Sequence, residues 1–167
     1  PNFEVRKALY RVVVPALTMK SNSEVVSAQS FLRKMMQDGN TAEAKKALKA
    51  LIADVPYSNK KMASMNMEER YRLIMSTIFR ALGFRVEVER MLATGRIDMI
   101  VEVPSYIYVM ELKLSNNGGI SAAESQMKKK SYTEPFKADK RKIIALAVEL
   151  DEKGKGLIDW IEVDESL

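Results

Sequence analysis

The chain has 167 residues, 47% of them apolar and 29% charged, which is the balance of an ordinary globular protein with room for a single good core. Lysine and arginine outnumber aspartate and glutamate 27 to 22, a net charge of +5 that suits a polyanionic partner but equally describes a merely basic protein. Histidine and cysteine are both absent, which excludes disulfides, Cys/His zinc sites and Ser-His-Asp or Cys-His catalysis; any metal must be a hard cation held by oxygen, and any general base a carboxylate, lysine, tyrosine or metal-bound water.

The N-terminus has no signal-peptide layout, and the longest apolar runs, such as Ile143 to Val148, are far too short for a bilayer span. We therefore expect a cytoplasmic protein with no membrane partner. Pro1-Asn2, without an initiator methionine, reads as the middle of a longer chain.

In chain order, residues 1 to about 82 read as helical. Val5, Ala8, Leu9, Val12 and Val13 keep helical spacing until Pro15 disturbs it. Ser21 and Glu24 have the form of a capping box before a helix over Val25 to Met36, and Asp38-Gly39-Asn40 is a break. Asn40 with Glu43 opens a further helix through Leu48 and Ile52 towards Pro56. Tyr57 to Met65 reads as a loop. Asn66 starts a helix carrying Tyr71, Ile74, Met75, Ile78 and Leu82, and Gly83 is placed to end it.

From residue 84 the period changes to two. Phe84, Val86 and Val88 alternate with charged residues; Ile97, Met99, Val101 and Val103 alternate with Asp98, Ile100 and Glu102; Tyr106 to Met110 leads into Glu111-Leu112-Lys113-Leu114. These are three strands of a meander. Gly118-Gly119 marks a turn, and Ser121 with Glu124 suggests a second capping box, for a helix over about 122–132. Ile143 to Val148 reads as a strand buried on both faces, and Leu157 to Val163 as a last strand or an irregular tail. The predicted fold class is α/β, with a mixed central sheet.

Register carries the functional argument. If the second hairpin turns at Pro104-Ser105, paired residue numbers sum to 209, so Glu102 faces Ile107 and Asp98 faces Glu111. Side chains opposed in this way stand about 4.5–5.5 Å apart at Cβ, and two carboxylates so placed repel unless a cation lies between them. An odd loop or a bulge would shift the pairing by one residue. Lys113, two residues beyond Glu111, projects to the same face, whereas Ile97, Met99 and Leu112 point the other way into apolar packing. Asp98 and Glu111 can hold a divalent cation that activates water and polarises a phosphate; Lys113 can orient the water, take part in proton transfer or neutralise phosphate charge.

Gly95-Arg96-Ile97-Asp98, twelve further residues, then Glu111-Leu112-Lys113 resembles the signature of the PD-(D/E)XK nucleases. Closer still is a similarity to the C-terminal nuclease-like domain of AAA-ATPase-like proteins common in Bacteroidetes. It rests on Pro1 to Arg6, Leu82-Gly83-Phe84, Arg96-Ile97-Asp98, Tyr106-Ile107-Tyr108, Gln126 to Tyr132, Glu134-Pro135-Phe136 and Asp139 to Lys142. The resemblance implies a restriction-endonuclease-like αβββαβ core over residues 66–167, with an α-helical N-terminal region over 1–65 that packs on the core or links it to an upstream AAA-ATPase-like domain. It implies Mg2+ or Mn2+ as cofactor, nucleic acid (DNA above all) as substrate, and, since many related nucleases act as dimers, allows a homodimer. It gives catalytic roles to Asp98, Glu111, Lys113 and Gln126, and a metal shell of Asp98, Glu111, Leu112 and Glu68. Glu68 is preferred to Glu69 because Asn66 and Glu69 fit a capping box. Ile97 stands where the nominal motif has proline, and Arg72 where we expect a histidine of the family.

The plainer readings stand beside these. Glu-x-Lys also occurs by chance on exposed strands. The basic runs Lys128 to Lys130 and Lys137 to Lys142 can track a phosphate backbone or simply be solvated faces. Tyr106, Tyr108 and Tyr132 suit core packing better than base stacking, and the 11 methionines suit core filling. No phosphate-loop motif is present. The alternative function is a catalytically inactive nuclease-fold module that binds protein or nucleic acid.

Overall fold

The computed structural model describes residues 21–53 and 64–167, together with positions 4, 8, 11, 13 and 14. Most of the expected Val5–Val13 helix and of the Tyr57–Met65 loop lie outside the described residues.

Helix α1 spans Asn22–Asp38 and opens on the expected box: the Glu24 N–H donates to Ser21 Oγ, and the Ser21 N–H to the Glu24 carboxylate. It ends at Gly39, whose φ of +71° closes the helix; a Cβ there would also meet the Tyr106 ring at 2.4 Å. Helix α2 spans Thr41–Ile52, with Asn40 accepting from the Glu43 N–H. Helix α3 spans Met67–Ala81 and starts on the Asn66–Glu69 box. Strands β1 (Arg85–Leu92), β2 (Gly95–Glu102) and β3 (Tyr106–Leu114) form the antiparallel meander. Helix α4 (Gly119–Lys130) crosses back to β4 (Lys142–Leu150), which pairs parallel to β3, and β5 (Leu157–Val163) adds antiparallel to β4. The sheet order is β1-β2-β3-β4-β5. This mixed α/β architecture contains the expected restriction-endonuclease-like αβββαβ order, and Leu157–Val163 is a strand.

Two apolar layers hold the sheet. On one face Leu32, Met36, Leu48, Leu51, Ile74 and Phe79 of α1–α3 pack against Met99, Val101, Met110, Leu112, Leu146 and Val148. Tyr108 donates to the Met36 carbonyl at 2.5 Å and the Trp160 indole to the Thr41 carbonyl at 2.9 Å, so the first two helices share one core with the sheet. On the other face Ala123 and Met127 of α4, with Tyr132 and Phe136, cover Ile100, Ile107, Val109, Ala145 and Ala147.

Two expectations change. The Ser121–Glu124 box does not form. Helix α4 begins at Gly119, with no side-chain cap from its N-terminal glycine; the Ile120 N–H instead donates to Glu149 of β4 at 3.0 Å, and Glu124 pairs with Lys128. A carboxylate from the neighbouring strand satisfies the N-terminus and complements its dipole, so the local motif is not used. The second change is Ile97, which packs in the α4-side layer while Met99 and Leu112 lie in the other. The irregularity in β2 coincides with one in β1, where Glu89 is a non-glycine residue with φ of +54°. In the constant β1–β2 register it stands opposite Asp98, and there the regular pairing skips from Val88↔Met99 to Arg90↔Ile97.

Candidate active site

The β2–β3 register follows the predicted sum, from Glu102↔Ile107 to Met99↔Met110. The next pair on that count is Asp98 and Glu111, and here the backbone ladder stops. The Asp98 carboxylate takes over: its Oδ2 accepts the Leu112 N–H at 2.9 Å. In an extended strand a residue's N–H and C=O project to the same edge, so the Leu112 carbonyl also turns towards β2, at the point where β2 has withdrawn.

Asp98 and Glu111 are both buried, 3% and 1% exposed, and both line one cavity with Ala122, Ser125 and Gln126 of α4. Glu111 Oε1 is paired with Lys113 Nζ at 2.9 Å, and Glu111 Oε2 is buried with no hydrogen-bond partner. Burial, the nearby Asp98 charge and the hydrogen bond a protonated Glu111 can give Asp98 push the Glu111 carboxyl up from 4.5 to about 7, against the pull of Lys113; the ionised carboxylate has no donor at Oε2. For Lys113, burial works to lower the pKa, but the hydrogen bond and charge of Glu111, with Asp98 and Glu68, outweigh it and leave the amine above its ordinary value. Lys113 is thus a protonated cation at neutral pH, suited to phosphate rather than to accepting a proton.

A cavity of about 820 Å3 opens over this patch. Glu68, Arg96, Asp98, Glu111, Lys113 and Gln126 all line it, together with Lys129, Lys130 and Tyr132. Gln126 donates to the Tyr132 hydroxyl at 3.0 Å, which fixes its side chain at the cavity wall. Glu69 is used in the helix cap, and Glu68 faces the cavity.

Arg72 reaches the same place from α3. It is 8% exposed, and its guanidinium lies 3.0 Å from Glu68, 3.2 Å from Glu89 and 3.6 Å from Asp98. Arg96, more exposed, pairs with Glu89 at 3.1 Å and reaches Asp98 at 3.9 Å. Among the described residues no three carboxylates stand close enough to form a metal shell of side chains alone, and Glu68 is drawn to Arg72. The residues nevertheless fit one divalent cation. Two buried carboxylates, one with an unpartnered oxygen, and a backbone carbonyl turned the same way are the oxygen donors a hard cation takes.

No sequence motif gives Glu89 or Arg96 a role of its own. The first hairpin closes at Leu92↔Gly95, so its pairs sum to 187, and that count sets Glu89 opposite Asp98. The basic runs separate. Lys129 and Lys130 line the cavity, while Lys137 and Arg141 are neutralised by Glu134, Asp139 and Glu102. Tyr108 and Tyr132 are buried and serve packing.

An αβββαβ core with an Asp on the second strand and Glu-x-Lys on the third, converging at a splayed sheet end, defines the architecture of a restriction-endonuclease-like domain. The model of the PD-(D/E)XK nuclease superfamily matches residues 66–160, more than half of the chain, and the chain belongs to that superfamily. A curated relative, the "uncharacterized protein in vnfD 5′ region" of Azotobacter chroococcum mcd 1, is 25% identical over 170 aligned positions. The match covers 96% of this chain but only 31% of that protein. No solved structure matches the chain significantly. Among the described residues no helix is long and apolar enough to cross a membrane.

Proposed function

We propose that this chain is a divalent-metal-dependent nuclease domain that hydrolyses DNA phosphodiester bonds. The observation that carries the reading is the unpartnered, buried Glu111 Oε2 beside Asp98. A buried carboxylate oxygen without a partner costs on the order of 1–3 kcal/mol or more, and a bound cation removes that cost. Asp98, Glu111 and the Leu112 carbonyl would hold Mg2+ or Mn2+. When bound, the metal supplies a water of lowered pKa and polarises the scissile phosphate. Lys113, protonated and anchored on Glu111, neutralises a phosphate oxygen and steadies the attacking water by donating to it. Gln126, held by Tyr132, contacts the water or the phosphate, and Lys129, Lys130 and Arg96 meet the flanking backbone.

The test is cleavage of single-stranded, linear duplex and supercoiled DNA with Mg2+ or Mn2+. The wild type is expected to cut at least one of these, and Lys113→Ala to cut it slower by roughly 10²–10⁴-fold. No cutting by the wild type with either metal, or an unimpaired Lys113→Ala, would end the hydrolytic reading. A longer protein carrying an ATPase-like domain is the architecture we infer around this domain, in keeping with the greater length of its relative.

Arg72 favours a second reading. A fixed guanidinium 3.6 Å from Asp98 is a permanent counter-ion, as expected of a module that binds DNA without cutting it. Under this reading DNA binding survives EDTA and no product forms.

A further inference from the structure

We propose that Arg72 takes the place of a second divalent cation, so that the site binds a single metal ion and Glu68 serves the arginine rather than the metal. The inference rests on the metal-dependent reading above and concerns how many ions the site accepts.

Four carboxylates are distributed around two cations: Glu68, Glu89 and Asp98 about Arg72, and Glu111 on Lys113. Without the arginines, Lys113 alone would leave three of these negative charges unbalanced, more than one divalent ion neutralises. Arg72 puts one guanidinium within ion-pair distance of three of the four. It meets the carboxylates that lie on its side of Asp98 and leaves Glu111 and its unpartnered Oε2 to the other side. With Lys113 and the more exposed Arg96 there are three cations against four carboxylates, one negative charge in excess. One divalent ion is enough to reverse that sign; a second would add two positive charges next to a guanidinium in a poorly hydrated site, where like charges repel most strongly.

Arg72 cannot readily step aside. It is 8% exposed, it comes from a helix packed into the core, and its Nε is buried with no hydrogen-bond partner. Arg96 differs, being exposed and farther from Asp98, and can follow a ligand. A planar guanidinium can bridge several carboxylates at once, which a lysine ammonium does less well.

The test is Mn2+ titration by calorimetry, with the electron paramagnetic resonance spectrum at saturation reporting whether two ions are coupled. Wild type is expected to bind one Mn2+, with no spin–spin coupling. Arg72→Gln is expected to bind two, and Arg72→Gln/Glu68→Gln to return to one. Glu68→Gln alone should still bind one. Two ions in the wild type would overturn the proposal, as would a single ion in folded Arg72→Gln or none in Glu68→Gln. These wild-type and Glu68→Gln readouts stand even if Arg72→Gln fails to fold. No Mn2+ in either wild type or folded Arg72→Gln would sink the metal-dependent reading itself, and this inference with it; two ions in the wild type would sink the inference alone.

Discussion

The backbone N–H of Leu112 is bonded to the Asp98 carboxylate at 2.9 Å, at the level where the β2–β3 ladder gives out. One carboxylate thus both ends the ladder and faces the site. Asp98→Ala leaves that N–H without its acceptor in a buried strand, which costs about 1–3 kcal/mol. Removing Asp98 also relieves its repulsion with Glu111, so the comparison belongs at pH 5.5, where Glu111 is protonated. There Asp98→Ala should unfold at lower urea than Asp98→Asn, which keeps an acceptor oxygen, while both lose Mn2+ affinity. Equal midpoints would show that the Leu112 bond contributes nothing.

The raised Glu111 pKa gives the metal-free protein an inverted pH dependence. Between 4.5, the unfolded value, and about 7 the folded state holds a proton that the unfolded chain releases. Stability attributable to this group is therefore greatest below 4.5 and is lost as pH rises through about 7. The loss is on the order of 3 kcal/mol, since each pKa unit is worth about 1.4 kcal/mol. In EDTA, Glu111→Gln should gain stability relative to wild type on going from pH 5.5 to pH 8, followed by urea denaturation at each pH. A wild type and variant that track each other across that range would contradict the assignment.

Much of this was legible because the second hairpin is regular. A two-residue turn and a constant sum of 209 bring Asp98 to the level of Glu111, and strand alternation adds Lys113 to the same face. Three features were not legible. Glu89 takes a left-handed φ opposite Asp98 and Ile97 lies in the α4-side layer, and nothing in a run of alternating residues announces a positive φ on a glutamate. The cap of α4 comes from Glu149, some thirty residues further along the chain, and so defeats a search for local boxes. In the sequence Arg72 stands out only as a departure from an expected histidine. Its bridging of Glu68, Glu89 and Asp98 depends on how α3 lies against the splayed sheet end.

Gly119 is tied to that distant cap. Its φ is +51°, and a Cβ would stand 2.4 Å from the Glu149 carboxylate that accepts from Ile120. Gly119→Ala should therefore displace Glu149, strain the backbone and release the first turn of α4. A loss of about 2–3 kcal/mol is expected from the strained φ and the lost cap together. Because α4 carries Gln126, Lys129 and Lys130, DNA binding should weaken as well. Thermal melts and hydrogen exchange at residues 119–123 check this; unchanged protection there would mean the helix start does not depend on the glycine.

Lys129 and Lys130 line the cavity from the last turn of α4 and have no ion pair with a described residue, unlike neighbouring Lys128, which is held by Glu124. If the phosphate backbone runs past this helix, each of the two should release about one counter-ion on binding. Lys129→Ala and Lys130→Ala should then each weaken DNA binding uniformly across sequences and reduce the slope of log affinity against log salt by about one. Lys137→Ala, which removes a lysine already paired with Glu134 at 2.5 Å, should leave that slope nearly unchanged. Fluorescence anisotropy over a salt series, with Ca2+ in place of Mg2+ to suppress cutting, separates these outcomes. Equal slopes for wild type, Lys129→Ala and Lys130→Ala would move the backbone path away from α4, and a reduced slope for Lys137→Ala would move it to the segment between α4 and β4.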